Sequence, residues 1–187
     1  MRRRRSPEVH GLRRLVKVAR GLGSADLLVR NAKVLNLFNG RVEDKSVAIC
    51  GETIAGVGDY SDGARTLDAG GAFLLPGLAD AHVHLESSLI APTEFARAVV
   101  PFGTTAVFAD PHEIANVLGA KGVQALLRAT ESLPLDVFFT VPSCVPATPL
   151  ETAGATVGYQ QVAALLDEPR VVGLGEMMNF SGVLEGE

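Results

Sequence analysis

Residues 75–88, LPGLADAHVHLESS, place two histidines two positions apart at the end of an apolar run. Residues 73–79 read as a buried strand built on Leu74, Leu75, Leu78 and Ala79, and alternate residues of a strand point to one side. His82 and His84 are therefore expected to project together, as two ligands of one divalent metal must. Asp80 falls on the same side, close enough to orient a ligand. His-x-His alone is a weak signal, because chance pairs on surface strands are common. Here it follows a Pro-Gly turn and an apolar strand, which favours metal binding over a structural role. Histidine nitrogens suit zinc, manganese or iron, and two ligands do not decide among them.

Downstream, apolar strands recur at residues 104–109, 137–141 and 171–174, with helical patterns at 92–100, 113–132 and 159–166 between them. Strands repeating at about 30–35 residues have the size of a βα unit in a parallel sheet. Each strand ends in polar residues: Asp80, His82 and His84, then Asp110, His112 and Glu113, then Ser143 and Cys144, then Glu176 and Asn179. Chemistry at the carboxyl ends of parallel strands is the habit of (β/α)8 barrels and of open α/β sheets. Upstream, residues 25–72 carry short strands and tight turns such as Asn39-Gly40 and Gly51-Glu52, with no helix. A β subdomain in front of four βα units favours the barrel. The expected class is α/β: a basic segment with a short helix (1–24), a small β-sandwich subdomain (25–72) and the first four units of a (β/α)8 barrel (73–187).

Charge narrows the partners. Residues 1–20 hold eight of the 17 basic side chains and one of the 21 acids, so the remainder has 9 against 20, a net of −11. An acidic body is a poor nucleic-acid binder. The arginine run at 2–5 is followed by no apolar signal core, which disfavours a secretory leader, and it reads as a solvated surface run. Leu12, Leu15, Val16 and Ala19 have helical spacing and suggest a short amphipathic helix laid on the body. No segment reaches the about 18 apolar residues of a membrane span. Cys50 and Cys144 lack CxxC spacing and read as two reduced thiols of a cytoplasmic protein.

The remaining polar strand ends stay open between two roles. Asp110 can cap the following helix, with His112 and Glu113 in its first turn, or these residues can face the metal as ligand or proton shuttle. Glu86, Ser87 and Ser88 can reach substrate or cap the next helix. Glu176 is the only acid at the end of its strand and can either bridge two metals or sit in a cap or salt bridge.

The chain resembles the adenine deaminases of the amidohydrolase superfamily. The resemblance rests on ADLLVRNAKVLNLFNG, PGLADAHVHLESS, GTTAVFADPHEIANV, VPSCVPATPLETAGA and VVGLGEMMNF, in order, and extends from about Leu12 onward. PGLxDxHxH is shared by many amidohydrolases, whereas DPHEIAN, PSCVPAT and GLGEMMN are more specific. The resemblance implies hydrolysis of adenine to hypoxanthine and ammonia by metal-activated hydroxide attack at C6. It makes His82, His84 and Glu176 metal ligands, with Glu86, Asp110 and His112 as candidates to orient those ligands or to transfer protons. It implies a binuclear divalent centre of manganese, with iron or zinc as alternatives, and a cytoplasmic homo-oligomer. Alternatives are another amidohydrolase, such as a cyclic amidase or deacetylase, or a non-catalytic remnant. The family barrel has eight strands, and its later histidines and aspartate have no counterpart after His112. The chain alone is therefore expected to be truncated, poorly folded or inactive.

Overall fold

The structure is a computed structural model and describes residues 9–186; the arginine run at 2–5 lies outside the described residues. Two compact units meet in sequence between Pro76 and Gly77.

The first unit opens with helix α1 (Val9–Ala19). It continues with strands β1 (Ala25–Asn36), β2 (Arg41–Cys50), β3 (Thr53–Gly58), β4 (Gly63–Asp68) and the short β5 (Phe73–Leu74). The sheet runs β3-β2-β1-β4, and β5 also pairs with β1. Strands β1, β2 and β3 are antiparallel through tight turns, while β4 and β5 run parallel to β1. Val29, Ala32, Val34 and Val47 form one core cluster. Phe73 and Leu74 were expected to start the strand that carries the histidines, after a boundary at 72/73. They instead pair with Lys33 and Val34, and the break falls four residues later. Pro76 accounts for the break, since it has no N–H to give a ladder.

Helix α1 buries a different face from the one its spacing suggests. Val18 is 1% exposed and packs with Ala25 and Ala48, whereas Leu12 and Val16 are about half exposed. Tyr60 donates its hydroxyl to the Ala19 carbonyl at 2.7 Å, satisfying one of the open carbonyls at the helix end. Arg14 pairs with Asp26, whose Oδ2 also accepts the Gly51 N–H at 2.6 Å. The Arg14 hydrogen bond and then the Gly51 N–H hold the Asp26 carboxyl at about 2, below its ordinary value of 3.8. A carboxyl depressed in the folded state stabilises the fold above its unfolded pKa and ceases to do so as pH falls through the folded one. Acid is therefore expected to loosen α1 from β1 between about pH 4 and pH 2. The check is a carboxyl NMR titration of Asp26. A midpoint near 3.8 would remove the argument, and Asp26→Asn is expected to flatten this acid limb.

The second unit holds β6 (Leu78–Val83), β7 (Thr104–Ala109), β8 (Asp136–Val141) and β9 (Val171–Leu174). All pair parallel, in the order β6-β7-β8-β9. Between them lie helices α2 (Pro92–Val99), α3 (His112–Leu118), α4 (Ala120–Ala129) and α5 (Tyr159–Leu166), and α6 (Phe180–Glu185) follows β9. Val107 and Ala109 of β7 and Val137, Phe139 and Val141 of β8 alternate onto one face. There they pack with Ala96, Ala115, Val123, Leu127 and Leu165 of the helices. Phe108 and Phe138 stack on the opposite face with centroids 5.2 Å apart.

Two expectations are corrected here. The pattern at 113–132 is two helices, not one, because Gly119 adopts φ +63°, ψ −152°, a conformation that a residue with a Cβ rarely adopts. The strand bearing the histidines is not buried: Leu78 is 55% and Leu75 48% exposed. β6 lies at an edge of its sheet among the described residues, so only β7 covers it laterally.

Candidate metal centre

The histidine pair stands at the carboxyl end of β6, His82 inside the strand and His84 one residue past it. Their Nε2 atoms are 3.1 Å apart and the rings meet edge to face. Two nitrogens each about 2.0–2.1 Å from one ion would lie about 3–3.4 Å apart, so this pair has the spacing of shared coordination. Glu176, just beyond β9, brings Oε1 to 3.8 Å from His84 Nε2. One ligand atom from each of His82, His84 and Glu176 lies within 4.8 Å of the others. Among the described residues no other trio of histidine, cysteine or carboxylate side chains converges so closely. Two imidazoles and one carboxylate form a donor set suited to a divalent transition metal.

The opposite edge of the His84 ring faces an acid. His84 Nδ1 lies 3.0 Å from Glu113 Oε2, an ion-pair distance without hydrogen-bond geometry. Glu113 also accepts the Ser87 hydroxyl at 3.0 Å. Burial pushes the Glu113 carboxyl up, but its own backbone N–H, the Ser87 hydroxyl and the His84 ring outweigh that and hold it below the usual range. An acid at Nδ1 favours the proton there and leaves Nε2 as the free donor, as in carboxylate–histidine–metal arrangements. The sequence leaves Glu113 open between the first turn of the helix and a place facing the metal as ligand or proton shuttle, and does not couple it to His84. The signal was available, since consecutive strand ends of a parallel sheet are neighbours.

The other carboxylate candidates are held by the backbone. Glu86, in a short 3-10 turn, accepts the Ile114 N–H at 3.0 Å and so caps the first turn of α3, not of the helix next in sequence. Burial raises its carboxyl, and the Ile114 and Glu86 N–H groups only partly offset this. Asp110 is 1% exposed and makes no cap on α3. Its Oδ2 accepts the Glu176 N–H at 3.2 Å instead. His112 is 6% exposed, and neither ring nitrogen has a hydrogen-bond partner among the described residues. Asp80 turns back on its own strand, accepting the His82 N–H at 3.2 Å. Cys50 and Cys144 are both free thiols. Among the described residues no helix is long and apolar enough to cross a membrane.

Residues 73–182 match the model of the amidohydrolase family, which covers the whole of β6 to β9 and every residue of the centre. The chain belongs to this family. Among curated proteins it is 54% identical over 175 residues to an adenine deaminase of Dehalococcoides mccartyi, covering 94% of this chain and 31% of that protein. It is 49% identical over 174 residues to an adenine deaminase of Thermosipho africanus, covering 91% of this chain and 30% of that one. The chain thus spans about a third of the length of these relatives. Among solved structures, atrazine chlorohydrolase TrzN of Arthrobacter aurescens TC1, complexed with zinc, aligns over 79% of this chain and 46% of its own. The TM-score is 0.57 at 20% identity. N-acyl-D-glutamate deacylase of Bordetella bronchiseptica, also with zinc, aligns over 81% of this chain and 38% of its own, with TM-score 0.58 at 14% identity. These likenesses carry the fold.

Proposed function

We propose that this chain carries the first part of an adenine deaminase, converting adenine and water to hypoxanthine and ammonia at a divalent metal centre. In this reading β6 to β9 are the first four strands of a (β/α)8 barrel, and residues 25–76 contribute to a composite β-sandwich. The observation that carries it is the convergence of His82, His84 and Glu176 at parallel strand ends, in a chain about half identical to adenine deaminases.

His82 and His84 would hold the metal through Nε2, and Glu176 would hold it through its carboxylate, in a centre we read as binuclear. Manganese is the preferred metal, with iron or zinc as alternatives. When bound, such an ion supplies Lewis acidity and draws a nucleophile from water at neutral pH. Glu113, 3.0 Å from His84 Nδ1, would favour a proton there. Glu86 and His112 are the proton-transfer candidates: Glu86 is half-buried and His112 buried, and each keeps at least one polar atom without a partner among the described residues. Burial raises the Glu86 carboxyl, the direction a proton donor needs.

The test is a chimera in which this chain replaces the matching segment of the Dehalococcoides mccartyi adenine deaminase. Loaded with Mn2+, it is expected to release ammonia from adenine and to leave dihydroorotate and acetylated sugars untouched. Activity on one of those compounds in place of adenine would move the assignment to another amidohydrolase class. A metal-loaded, folded chimera inert towards all three would refute a catalytic role for these residues.

A further inference from the structure

His82 lies in β6, His84 one residue past it and Glu176 just beyond β9, so two strands lie between them in the sheet. Neighbouring strands are about 4.8 Å apart, and three such steps across a flat sheet would separate these groups by about 14 Å. His84 Nε2 and Glu176 Oε1 are nevertheless 3.8 Å apart. Side-chain reach and sheet curvature together must close that gap, and something must fix by how much.

Asp110 spans the gap. Its backbone N–H donates to the Val83 carbonyl at 2.9 Å, and Val83 sits between the two histidines. Its side-chain Oδ2 accepts the Glu176 N–H at 3.2 Å. One residue at the end of β7 therefore grips the histidine strand with its main chain and the glutamate peptide with its carboxylate. The next peptide along is held as well, where the Ser143 hydroxyl donates to the Glu176 carbonyl at 2.8 Å. Gly175 N–H donates to the Val141 carbonyl at 2.7 Å, fixing the residue before the ligand. Gly175 also supplies clearance, since a Cβ there would stand 2.2 Å from Asp110 Oδ2. Any side chain at 175 would push the carboxylate off the peptide.

We propose that Asp110 is a positioning residue that sets the distance between the His82/His84 pair and Glu176, with Ser143 and Gly175 as its supports. This rests on the reading of those three residues as metal ligands. Asp110 touches the backbone of the ligands and acts through them. Removing partners that orient ligands typically weakens metal binding by about 10–100-fold.

The experiment titrates the full 187-residue chain with Co2+, reading affinity and the visible d–d bands, and melts each metal-free form. Asp110→Ala and Gly175→Ala are expected to weaken Co2+ binding by at least about 10-fold and to shift the bands. Asp110→Asn keeps an acceptor oxygen of the same size and is expected to stay near wild type. Ser143→Ala leaves the carboxylate in place, gives a smaller loss, and keeps the question answerable if Asp110→Ala fails to fold. A purely structural Asp110 would lower the melting temperature but leave Co2+ affinity and bands unchanged, and that result would overturn the proposal. Co2+ binding by wild type that survives loss of both histidines would instead overturn the metal reading beneath it.

Discussion

Changing His82 and His84 together to alanine is expected to abolish metal binding while the chain keeps its fold. The two Nε2 atoms are the closest pair in the candidate centre, at 3.1 Å, and without them Glu176 is a lone carboxylate. Loss of an outer partner alone costs about 10–100-fold in affinity, so loss of two direct donors is expected to exceed about 100-fold. The fold should tolerate the change, because His82 is exposed and neither ring belongs to a core cluster. Metal content of chain purified from Mn2+-supplemented medium checks this, alongside far-UV circular dichroism. Wild-type metal content in the double variant would sink the ligand assignment. Single variants are expected to fall between, with His84→Ala the more damaging, since it also frees Glu113 from its 3.0 Å contact.

Periodicity made the sheet readable where strands are buried on one face by helices. β7 and β9 begin and end at the residues their apolar runs suggest, and β8 differs only by Asp136 at its start. Alternation works there because Val107, Ala109, Val137 and Phe139 all meet helices. It misleads at residues 73–79, where one apolar run serves two sheets and only Pro76 marks the handover. It misleads again in α1, where Val18 and not Leu12 or Val16 finds a pocket, because Ala25 and Ala48 are small enough to admit it. Near the candidate centre, spacing along one strand sufficed to bring His82 and His84 together. Contacts between the ends of strands that are not neighbours in the sheet, such as Asp110 after β7 with Glu176 after β9, were not legible. Asp110 has the composition of a helix cap, yet its partner lies 66 residues away. Gly175 looks like any glycine before a turn until the approach of Asp110 is known.

Phe139→Ala is expected to unfold much of the second unit. Phe139 is 0% exposed at the centre of β8, between β7 and β9, and packs in the cluster that joins the sheet to α2, α3, α4 and α5. The Arg170 guanidinium lies 5.6 Å from its ring centroid, and its backbone N–H donates to the Arg170 carbonyl at 2.9 Å. Arg170 in turn donates to Thr130 Oγ1 at 2.8 Å and to the Leu127 carbonyl, closing the end of α4. Truncating a buried phenylalanine costs about 3–5 kcal/mol through lost transfer energy and the cavity left behind. Whole domains are stable by only about 5–15 kcal/mol, so one such change removes a large part of the total. Urea unfolding should move the transition of residues 77–187 to markedly lower denaturant, with Phe139→Leu in between. Phe138→Ala, on the half-buried face beside Phe108, is expected to cost less than half as much. Equal losses at 138 and 139 would mean that the Phe108–Phe138 face is as fully packed as the helix-covered one, and the single-core account of this unit would fail.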